Sequence, residues 1–351
     1  MAQGEQNVTI DDMRRAFRRS LLRVALVWLL AAWVMVSPAL AWNAAGHRII
    51  ASIAFRQLAE SEQAEVVAML KKQPRFVRDF ADEMPEEVRS GGEKAQNEWL
   101  FQQAAVWPDM VRGGPPDKRA FNRSEWHYIN LPLFLNDAAK AELEGKLTAN
   151  VVTDVPADAT TETARMNVVQ AIRFARRECA NPAASPESRA VLLAWLFHTV
   201  GDIHQPLHGT AMFSPRLFPE GDRGGNSVRV QQSGNLHSLW DQFPGADDSF
   251  RATRNRAIAY IENPPVVEPA KSAKSMLDEQ MWAIESQQIA EAAVYDVEVR
   301  PALSRMEASG GPIEPIKLSE AYLKAGGTIS EARLVEAGYR LGAVLKELVK
   351  K

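Results

Sequence analysis

The sequence predicts a single, mainly α-helical domain with long loops and one small β-hairpin, and three observations lead to this prediction. Apolar residues recur at helical spacing over most of the chain after residue 41. The alternation of apolar and polar residues that marks a half-buried strand is scarce. Breaks rich in Gly and Pro separate the helical segments, but none resembles a flexible interdomain linker. At 351 residues, 46% of them hydrophobic, the chain can form one large core, and composition by itself indicates no function.

Helices are predicted first where apolar side chains repeat every three or four residues, because this spacing places them on one face of a helix. The clearest positions are Ile49, Ile50, Ile53, Ala54 and Leu58, then Val168, Val169, Ile172 and Ala175, and then Val191, Leu192, Trp195 and Leu196. Weaker patterns predict further helices around residues 93–106, 250–262, 271–295 and 330–348.

The predicted hairpin lies at Ser227 to Gln231, where Val228 and Val230 alternate with polar residues before a Ser-Gly turn. Longer breaks between helices are marked by Gly and Pro, and loops of more than about 15 residues in a compact domain are usually functional. These breaks are residues 113–116, 131–163, 214–226 and 263–265.

Residues 1–41 have the pattern of a signal peptide, with a basic segment, an apolar segment and a small-residue cleavage site. These parts are Arg14, Arg15, Arg18, Arg19 and Arg23, then Val24 to Val36, then Ala39-Leu40-Ala41. An uncleaved membrane anchor is the alternative, but about 13 apolar residues are fewer than the roughly 20 that a spanning helix needs. Cleavage between Ala41 and Trp42 would release a domain of residues 42–351 that is periplasmic or secreted, with no stable membrane association.

Charge and cysteine content narrow the possible functions. The formal net charge of −3 becomes −5 when the five Arg, one Glu and two Asp of residues 1–41 are removed. No Lys/Arg cluster of the kind that neutralises duplex phosphates is present, so a nucleic-acid-binding protein of this composition would need metal ions to supply positive charge. Cys179 is the only cysteine, which excludes an intramolecular disulfide and favours a bacterial host. We expect Cys179 to be a packed thiol near a helix end.

Two His-x3-Asp pairs indicate a metal site. His198 and Asp202 lie four residues apart in a predicted helix and share one face, and His237 and Asp241 repeat this spacing. Zinc binds imidazole nitrogen and carboxylate oxygen. One such pair is more often a surface hydrogen bond than a metal site, but two pairs in a chain with only six histidines favour metal binding.

Two further histidines follow the first pair. His208 comes just after the helix-breaking Pro206, where the chain can fold back toward the same site. His204 is six residues from His198 and faces another side of the helix, so we expect it to support or pack near the site without binding metal.

Further candidate ligands lie upstream, each close to a tryptophan. Asp109 and His127 follow Trp residues, and a buried polar residue under a Trp is the alternative reading of each. Cleavage after Ala41 would expose the α-amine of Trp42. That amine and its carbonyl can chelate a metal in a five-membered ring, and His47 can complete the site.

Taken in order, these motifs resemble the single-strand-specific zinc nuclease family named after nucleases S-one and P-one. The resemblance rests on a mature N-terminal Trp with His five residues on, Trp-x-Asp, Trp-His-aromatic, His-x3-Asp-x5-His and Asn-Leu-His-x2-Trp-Asp, and it runs from Trp42 to Ala337-Gly338-Tyr339-Arg340-Leu341. It implies an exported endonuclease that hydrolyses phosphodiester bonds of single-stranded DNA and RNA to 5′-phosphate products. A 3′-nucleotidase side activity is a further expectation. A monomer is also expected.

The resemblance implies three zinc ions per chain. One would be bound by Asp109, His127, His198 and Asp202, and a second by the Trp42 amine and carbonyl, His47 and the other oxygen of Asp202. The third would be bound by His208, His237 and Asp241. Asp202 would then bridge two ions, which makes it the residue on which catalysis depends most.

The resemblance also implies residues that contact substrate. Tyr128 occupies the position where the family stacks a base, and Arg112 and Asn226 lie where family members contact substrate. The alternative interpretation of Tyr128 is an ordinary half-buried tyrosine. For Arg112 and Asn226 the alternative is a structural role. Asn130 departs from the fungal pattern, which has an Asp there to orient the attacking water.

Two other readings remain open from the sequence. A bacterial zinc phospholipase C resembles this family in fold and in its Trp-initiated trinuclear site. The nuclease is favoured by Asp241, where the phospholipase type tends to have Glu, by the spacing from Trp42 to His47, and by the loop from Gly221 to Asn226. A periplasmic zinc carrier would need ligands on mobile loops or a His-rich tract, whereas these ligands lie largely on predicted helices.

Overall fold

A computed structural model of the protein describes residues 42–350, which belong to one compact unit. The predicted signal peptide at residues 1–41 lies outside the described residues. The helices are α1 (Ala44–Gln57), α2 (Glu60–Leu70), α3 (Glu86–Arg89), α4 (Glu93–Met110), α5 (Pro116–Arg119), α6 (Asp137–Leu143), α7 (Val168–Ala180), α8 (Pro186–Asp202), α9 (Leu236–Gln242), α10 (Phe250–Ile261), α11 (Pro264–Ala273), α12 (Glu279–Ile289), α13 (Val299–Ser309) and α14 (Glu320–Val349). Two strands, β1 (Leu131–Phe134) and β2 (Thr210–Phe213), form a small sheet. The mainly helical fold class is therefore confirmed.

The long helices α1, α4, α8 and α14 form the centre of the molecule. Helix α1 packs against α4, α10 and α14, and α8 packs against α4 and α7. The main hydrophobic core lies between these helices and includes Trp42, Trp107, Trp126 and Trp195, all at most 2% exposed. Burial of side chains of this size is the largest favourable contribution to the stability of the helical body.

Helix α8 illustrates how local sequence sets its ends. Ser185 caps the N-terminus by accepting a hydrogen bond from the Ser188 N–H, and Pro186 occupies the first turn, where its missing N–H costs nothing. The helix ends at Asp202, four residues before Pro206, as the sequence predicted. This end therefore delivers the His198–Asp202 face to a fixed position in the core.

The predicted β-hairpin at Ser227–Gln231 is wrong. The sheet is instead parallel, with Leu131 opposite Thr210 and Phe134 opposite Phe213. Within the predicted segment only Val230 forms a bridge, to Ile316, which is distant in sequence. The alternating valines are buried in a second hydrophobic cluster that also contains Ile316, so their pattern reflects burial in a loop and not pairing with the next segment.

The remaining helix predictions agree in part. The helices expected at 93–106 and 250–262 are present as α4 and α10, and the one expected at 330–348 begins earlier, as α14. The single helix expected at 271–295 is wrong, because α11 ends at Ala273 and α12 starts only after Asp278, which caps it. Such a break needs only one capping side chain, which apolar spacing does not reveal.

Three further expectations concern loops, Cys179 and membrane spans. The loop expected at 131–163 contains β1 and α6, so it is only partly irregular. Cys179 is fully buried in the last turn of α7, as expected, and burial raises its pKa to about 12. None of the helices described between residues 42 and 350 is long and apolar enough to cross a membrane.

Candidate metal centre

The first cluster of polar residues forms around the C-terminal end of α8 and consists of His47, Asp109, His127, His198 and Asp202. The Asp202 carboxylate is fully buried at its centre. Its Oδ1 lies 3.3 Å from His47 Nε2, and its Oδ2 lies 2.9 Å from His127 Nδ1 and 3.2 Å from His198 Nε2. One oxygen therefore faces the α1 histidine and the other faces two histidines, as a carboxylate between two ions requires.

Asp109, at the end of α4, completes the first cluster. Its Oδ1 lies 3.7 Å from His198 Nε2 and 3.0 Å from the Nε of Arg112. Two overlapping sets of ligand atoms, His47/His198/Asp202 and Asp109/His127/His198, each converge to within 4.8 Å. This separation is small enough for each set to hold one ion.

The close approach of α1 to α8 depends on a glycine. A Cβ at position 201 would lie only 2.8 Å from His47 Nδ1, so a larger residue in α8 would displace the imidazole. The rings of His47 and His198 stack with centroids 4.0 Å apart. Gly201 thus allows two histidines from different helices to share one carboxylate.

The second cluster consists of His208, His237 and Asp241, whose ligand atoms also converge to within 4.8 Å. His208 lies in a short turn after α8, and the other two lie on α9, which Asn235 caps. His208 Nε2 is 3.0 Å from His237 Nε2, which in turn is 3.5 Å from Asp241 Oδ2. The His-x3-Asp pair of α9 therefore faces a second histidine, His208, in the grouping that the family resemblance implied.

Backbone carbonyls fix the tautomers of three histidines. His198 Nδ1 donates to the Ala105 carbonyl at 2.7 Å, His208 Nδ1 to the His127 carbonyl at 2.6 Å, and His237 Nδ1 to the Gly224 carbonyl at 2.6 Å. In a neutral imidazole the other nitrogen, Nε2, then carries a lone pair. Metal-binding histidines are commonly oriented by this kind of hydrogen bond.

The second cluster shows why these residues fit a metal ion. Its two Nε2 atoms are both acceptors only 3.0 Å apart, so neither can donate to the other. Burial lowers the pKa of His208 well below its usual value, which favours the neutral ring. A cation between the two lone pairs removes the conflict, and imidazole and carboxylate together form a donor set that zinc prefers.

The first cluster contains further buried atoms without hydrogen-bond partners among residues 42–350. They are both ring nitrogens of His47, His127 Nε2 and Asp202 Oδ1. Burial also raises the pKa of Asp202 well above its usual value, because a carboxylate deprived of water favours its neutral form. Buried polar atoms of this kind are normally satisfied, so their concentration around one carboxylate fits a site that could hold cations.

Trp42 lies next to both clusters through the backbone. The Asn43 N–H donates to the Asp241 carbonyl at 3.2 Å, and the Asn43 side chain caps α1. A Cβ at position 46 would lie 2.8 Å from Trp42 Cβ, so Gly46 lets the chain fold closely over the start of α1. The Trp42 backbone is therefore held one turn before His47, while metal binding by its α-amine stays a prediction.

The three predicted substrate-binding residues and Asn130, predicted to take part in catalysis, have different surroundings. Tyr128 is 39% exposed and lines, with the half-buried Asn130, a groove of about 530 Å³ that also includes Phe213 and Glu220. Arg112 is paired with Asp109. The Asn226 side chain donates to the Arg223 carbonyl at 2.8 Å and so helps to close its own loop.

His204 lies outside both clusters. Its Nδ1 donates to the Val200 carbonyl at 2.7 Å, and its Nε2 accepts a hydrogen bond from Arg340 at 2.9 Å. Both ring nitrogens are thus used, which leaves no lone pair for a metal. The packing role expected for His204 is confirmed.

Two residues that support the clusters were missed by the sequence analysis. Gln205 donates to Asp241 Oδ1 at 2.7 Å, and its position between His204 and Pro206 was the only signal available. The Asp222 carboxylate accepts from the Met212 N–H at 2.9 Å and from the Tyr295 hydroxyl at 2.5 Å. Burial raises the pKa of Asp222 to about 6, and the hydrogen bonds oppose this shift. A carboxylate within a Gly-rich loop was the available hint.

Comparison with known proteins gives two findings. The family model described as S1/P1 Nuclease matches residues 42–350. Endonuclease 3 of Arabidopsis thaliana is 26% identical over 230 residues, which is 63% of this chain and 60% of that protein. The chain thus spans less than two thirds of the length of this curated relative.

Proposed function

This chain belongs to the S1/P1 nuclease family, and we propose that it is a zinc-dependent endonuclease acting on single-stranded DNA and RNA. The observation that carries the proposal is the buried Asp202 carboxylate, which lies within 3.3 Å of three imidazoles from three separate parts of the chain. The name of the Arabidopsis relative also supports an endonuclease.

The proposed ligands form three sets. Asp109, His127, His198 and Asp202 would hold one zinc; Trp42, His47 and Asp202 a second; and His208, His237 and Asp241 a third. When bound, zinc ions neutralise phosphate charge and lower the pKa of a bound water toward neutral pH. Phosphodiester hydrolysis needs both effects. The ligand sets are buried, because every imidazole concerned is at most 3% exposed.

The protein's own groups would orient the substrate. The exposed ring of Tyr128, next to His127, can stack on a base of a flexible single strand, whereas a duplex keeps its bases stacked inside. The Asn130 amide in the same groove can hydrogen-bond a water or a phosphate oxygen but cannot take up a proton at neutral pH. We therefore assign Asn130 an orienting role and no role as a general base.

Further parts of the proposal concern products and location. If hydrolysis breaks the bond between phosphorus and the 3′ oxygen, the phosphate stays on the 5′ end of the product. Removal of a terminal 3′-phosphate would use the same ligands. Export with cleavage after Ala41 would release the Trp42 amine in the periplasm or outside the cell. We further propose that the mature chain acts as a monomer.

The test uses the mature chain purified after export, with and without a chelator, on single-stranded DNA, duplex DNA, RNA and phosphatidylcholine. We expect rapid zinc-dependent cleavage of the two single strands and slow cleavage of the duplex. Phosphatase-sensitive 5′ ends should appear on the products. Hydrolysis of phosphatidylcholine alone would replace the nuclease by the phospholipase C alternative, and Asp202→Asn serves as the inactive control.

A further inference from the structure

Arg223 has an unusual backbone conformation. Its φ of +59° makes it the one non-glycine residue between 42 and 350 in the left-handed region. Gly221, Gly224 and Gly225, in the same loop, also have positive φ, but they have no Cβ to be strained. An arginine adopts this backbone conformation at a higher cost in free energy than a glycine or an asparagine would. Such backbone strain is typical of functional sites.

The loop that holds Arg223 is fixed on both sides. On one side the Asp222 carboxylate binds the Met212 N–H and the Tyr295 hydroxyl. On the other side the Gly224 carbonyl accepts the hydrogen bond from His237 Nδ1 in the second cluster. The loop also supplies Glu220 to the groove that Tyr128 lines. The Arg223 side chain therefore starts from a fixed point between this groove and the second cluster.

The guanidinium of Arg223 is available for a ligand. Arg223 is exposed, and its side chain makes no hydrogen bond or ion pair within the described part of the chain. Arg112 differs, because its Nε lies 3.0 Å from the Asp109 carboxylate. Arg223 lies three residues after Glu220, which lines the same groove as Tyr128, and it is less neutralised than Arg112.

We infer that Arg223 binds a phosphate of the single strand adjacent to the bond that is cut, while the base of that nucleotide stacks on Tyr128. This inference rests on the proposed function and deepens it, because it makes a polynucleotide a better substrate than an isolated diester. It also provides a phosphate contact in a chain whose sequence has no Lys/Arg cluster of the kind that neutralises duplex phosphates. One unpaired guanidinium beside the metal centre can serve where a larger patch is missing.

The inference is tested by binding. The probe is a fluorescein-labelled oligodeoxythymidylate with phosphorothioate linkages, which slow hydrolysis, and its anisotropy with the zinc-loaded mature protein is measured at several salt concentrations. Arg223→Gln should weaken binding about tenfold at low salt, the usual range for a charge-assisted hydrogen bond. It should also reduce the slope of log affinity against log salt by about 0.7, the contribution of one phosphate contact on a single strand.

Three variants separate this role from a structural one. Arg223→Gly should show the same reduction in the slope of log affinity against log salt. Its melting temperature should equal or exceed that of the parent, because glycine relieves the backbone strain. Arg223→Lys should keep the slope. Arg229→Gln, which removes another exposed arginine of the same region, should bind as the parent does.

Two results would be decisive in the other direction. Parent-like slopes in both Arg223→Gln and Arg223→Gly would overturn the inference, even if the parent proved to be a nuclease. A parent that binds the oligonucleotide with the larger slope but cuts no nucleic acid would instead overturn the proposed function and leave the phosphate contact in place.

Discussion

The two clusters of candidate metal ligands are assembled in different ways. The first cluster takes its ligands from α1, α4, the turn before β1 and α8, so four distant segments must meet around Asp202. The second cluster uses one turn after α8 and the short helix α9. The first is therefore a product of the whole helical core, and the second depends mainly on local hydrogen bonds such as that from His237 to Gly224.

The clusters also differ in how their carboxylates are used. The Asp202 carboxylate lies within 3.3 Å of three imidazole nitrogens, and within residues 42–350 it accepts no hydrogen bond from an amide. Asp241 faces one imidazole at 3.5 Å, and its other oxygen accepts a hydrogen bond from Gln205 at 2.7 Å. Equal substitutions at these two positions should therefore have unequal effects.

The largest effect is expected for Asp202→Asn. An amide offers one neutral oxygen where two charged ones are needed, so the variant should lose two of three zinc ions. Turnover should fall by roughly three orders of magnitude or more, since each lost electrostatic contact to the transition state costs about 10²–10³. Metal analysis and initial rates on single-stranded DNA measure both effects.

Asp241→Asn is the matched control for Asp202→Asn. It should lose only one zinc ion and keep the first cluster occupied. Equal metal contents in the two variants would show that Asp202 does not bridge two ions, and the contrast between the clusters would disappear.

The next largest effect is expected from a change at the N-terminus, which should affect only the first cluster. A mature chain made with a retained Met before Trp42 has an amide in place of the α-amine, and an amide nitrogen is a poor metal donor at neutral pH. It should bind two zinc ions firmly and the third weakly, with activity lower by about 10² or more. The same chain produced by export is the control. Full activity with three zinc ions in the extended form would remove the amine from the site.

Four of the candidate metal ligands could be recognised from the sequence because they lie within short helical spacings. His198 and Asp202 share a face whatever the tertiary structure, and the same holds for His237 and Asp241. The contact between His208 and the His127 carbonyl was beyond reach, because it depends on β1 and β2 pairing in parallel across about 80 residues of sequence. Such pairing leaves no local pattern in strands of four residues.

The strained Arg223 was missed for a similar reason. Its loop was recognised from its glycines, but φ at a given residue depends on Asp222 and Tyr295, which come together only in the folded chain. The resemblance to a known family supplied the predicted substrate contacts Tyr128, Arg112 and Asn226, whose proposed roles do not follow from spacing.

A smaller effect is expected at Tyr128, which lies beside the first cluster but binds no metal. Tyr128→Ala should raise KM for single strands about tenfold and leave the zinc content unchanged, since stacking of one base is worth about 1–3 kcal/mol. Tyr128→Phe keeps the ring and should behave as the parent does. Parent-like kinetics of the alanine variant would restrict Tyr128 to an ordinary surface role.

The smallest effect on activity is expected at His204, although it lies only two residues from Asp202. Arg340 donates to its ring and also pairs with Glu285 at 2.6 Å, and Arg333 donates to its backbone carbonyl at 3.1 Å. His204→Ala removes the ring but leaves the carbonyl contact, so the end of α8 should stay in place. We expect a loss of about 2–3 kcal/mol in the free energy of unfolding, from the cavity and the lost hydrogen bond to a charged donor. Zinc content should stay at three ions, and turnover should change less than about threefold. Denaturant unfolding with zinc present, metal analysis and rates on single-stranded DNA test this prediction. Loss of an ion would mean that His204 is needed to hold the ligands of the first cluster in place.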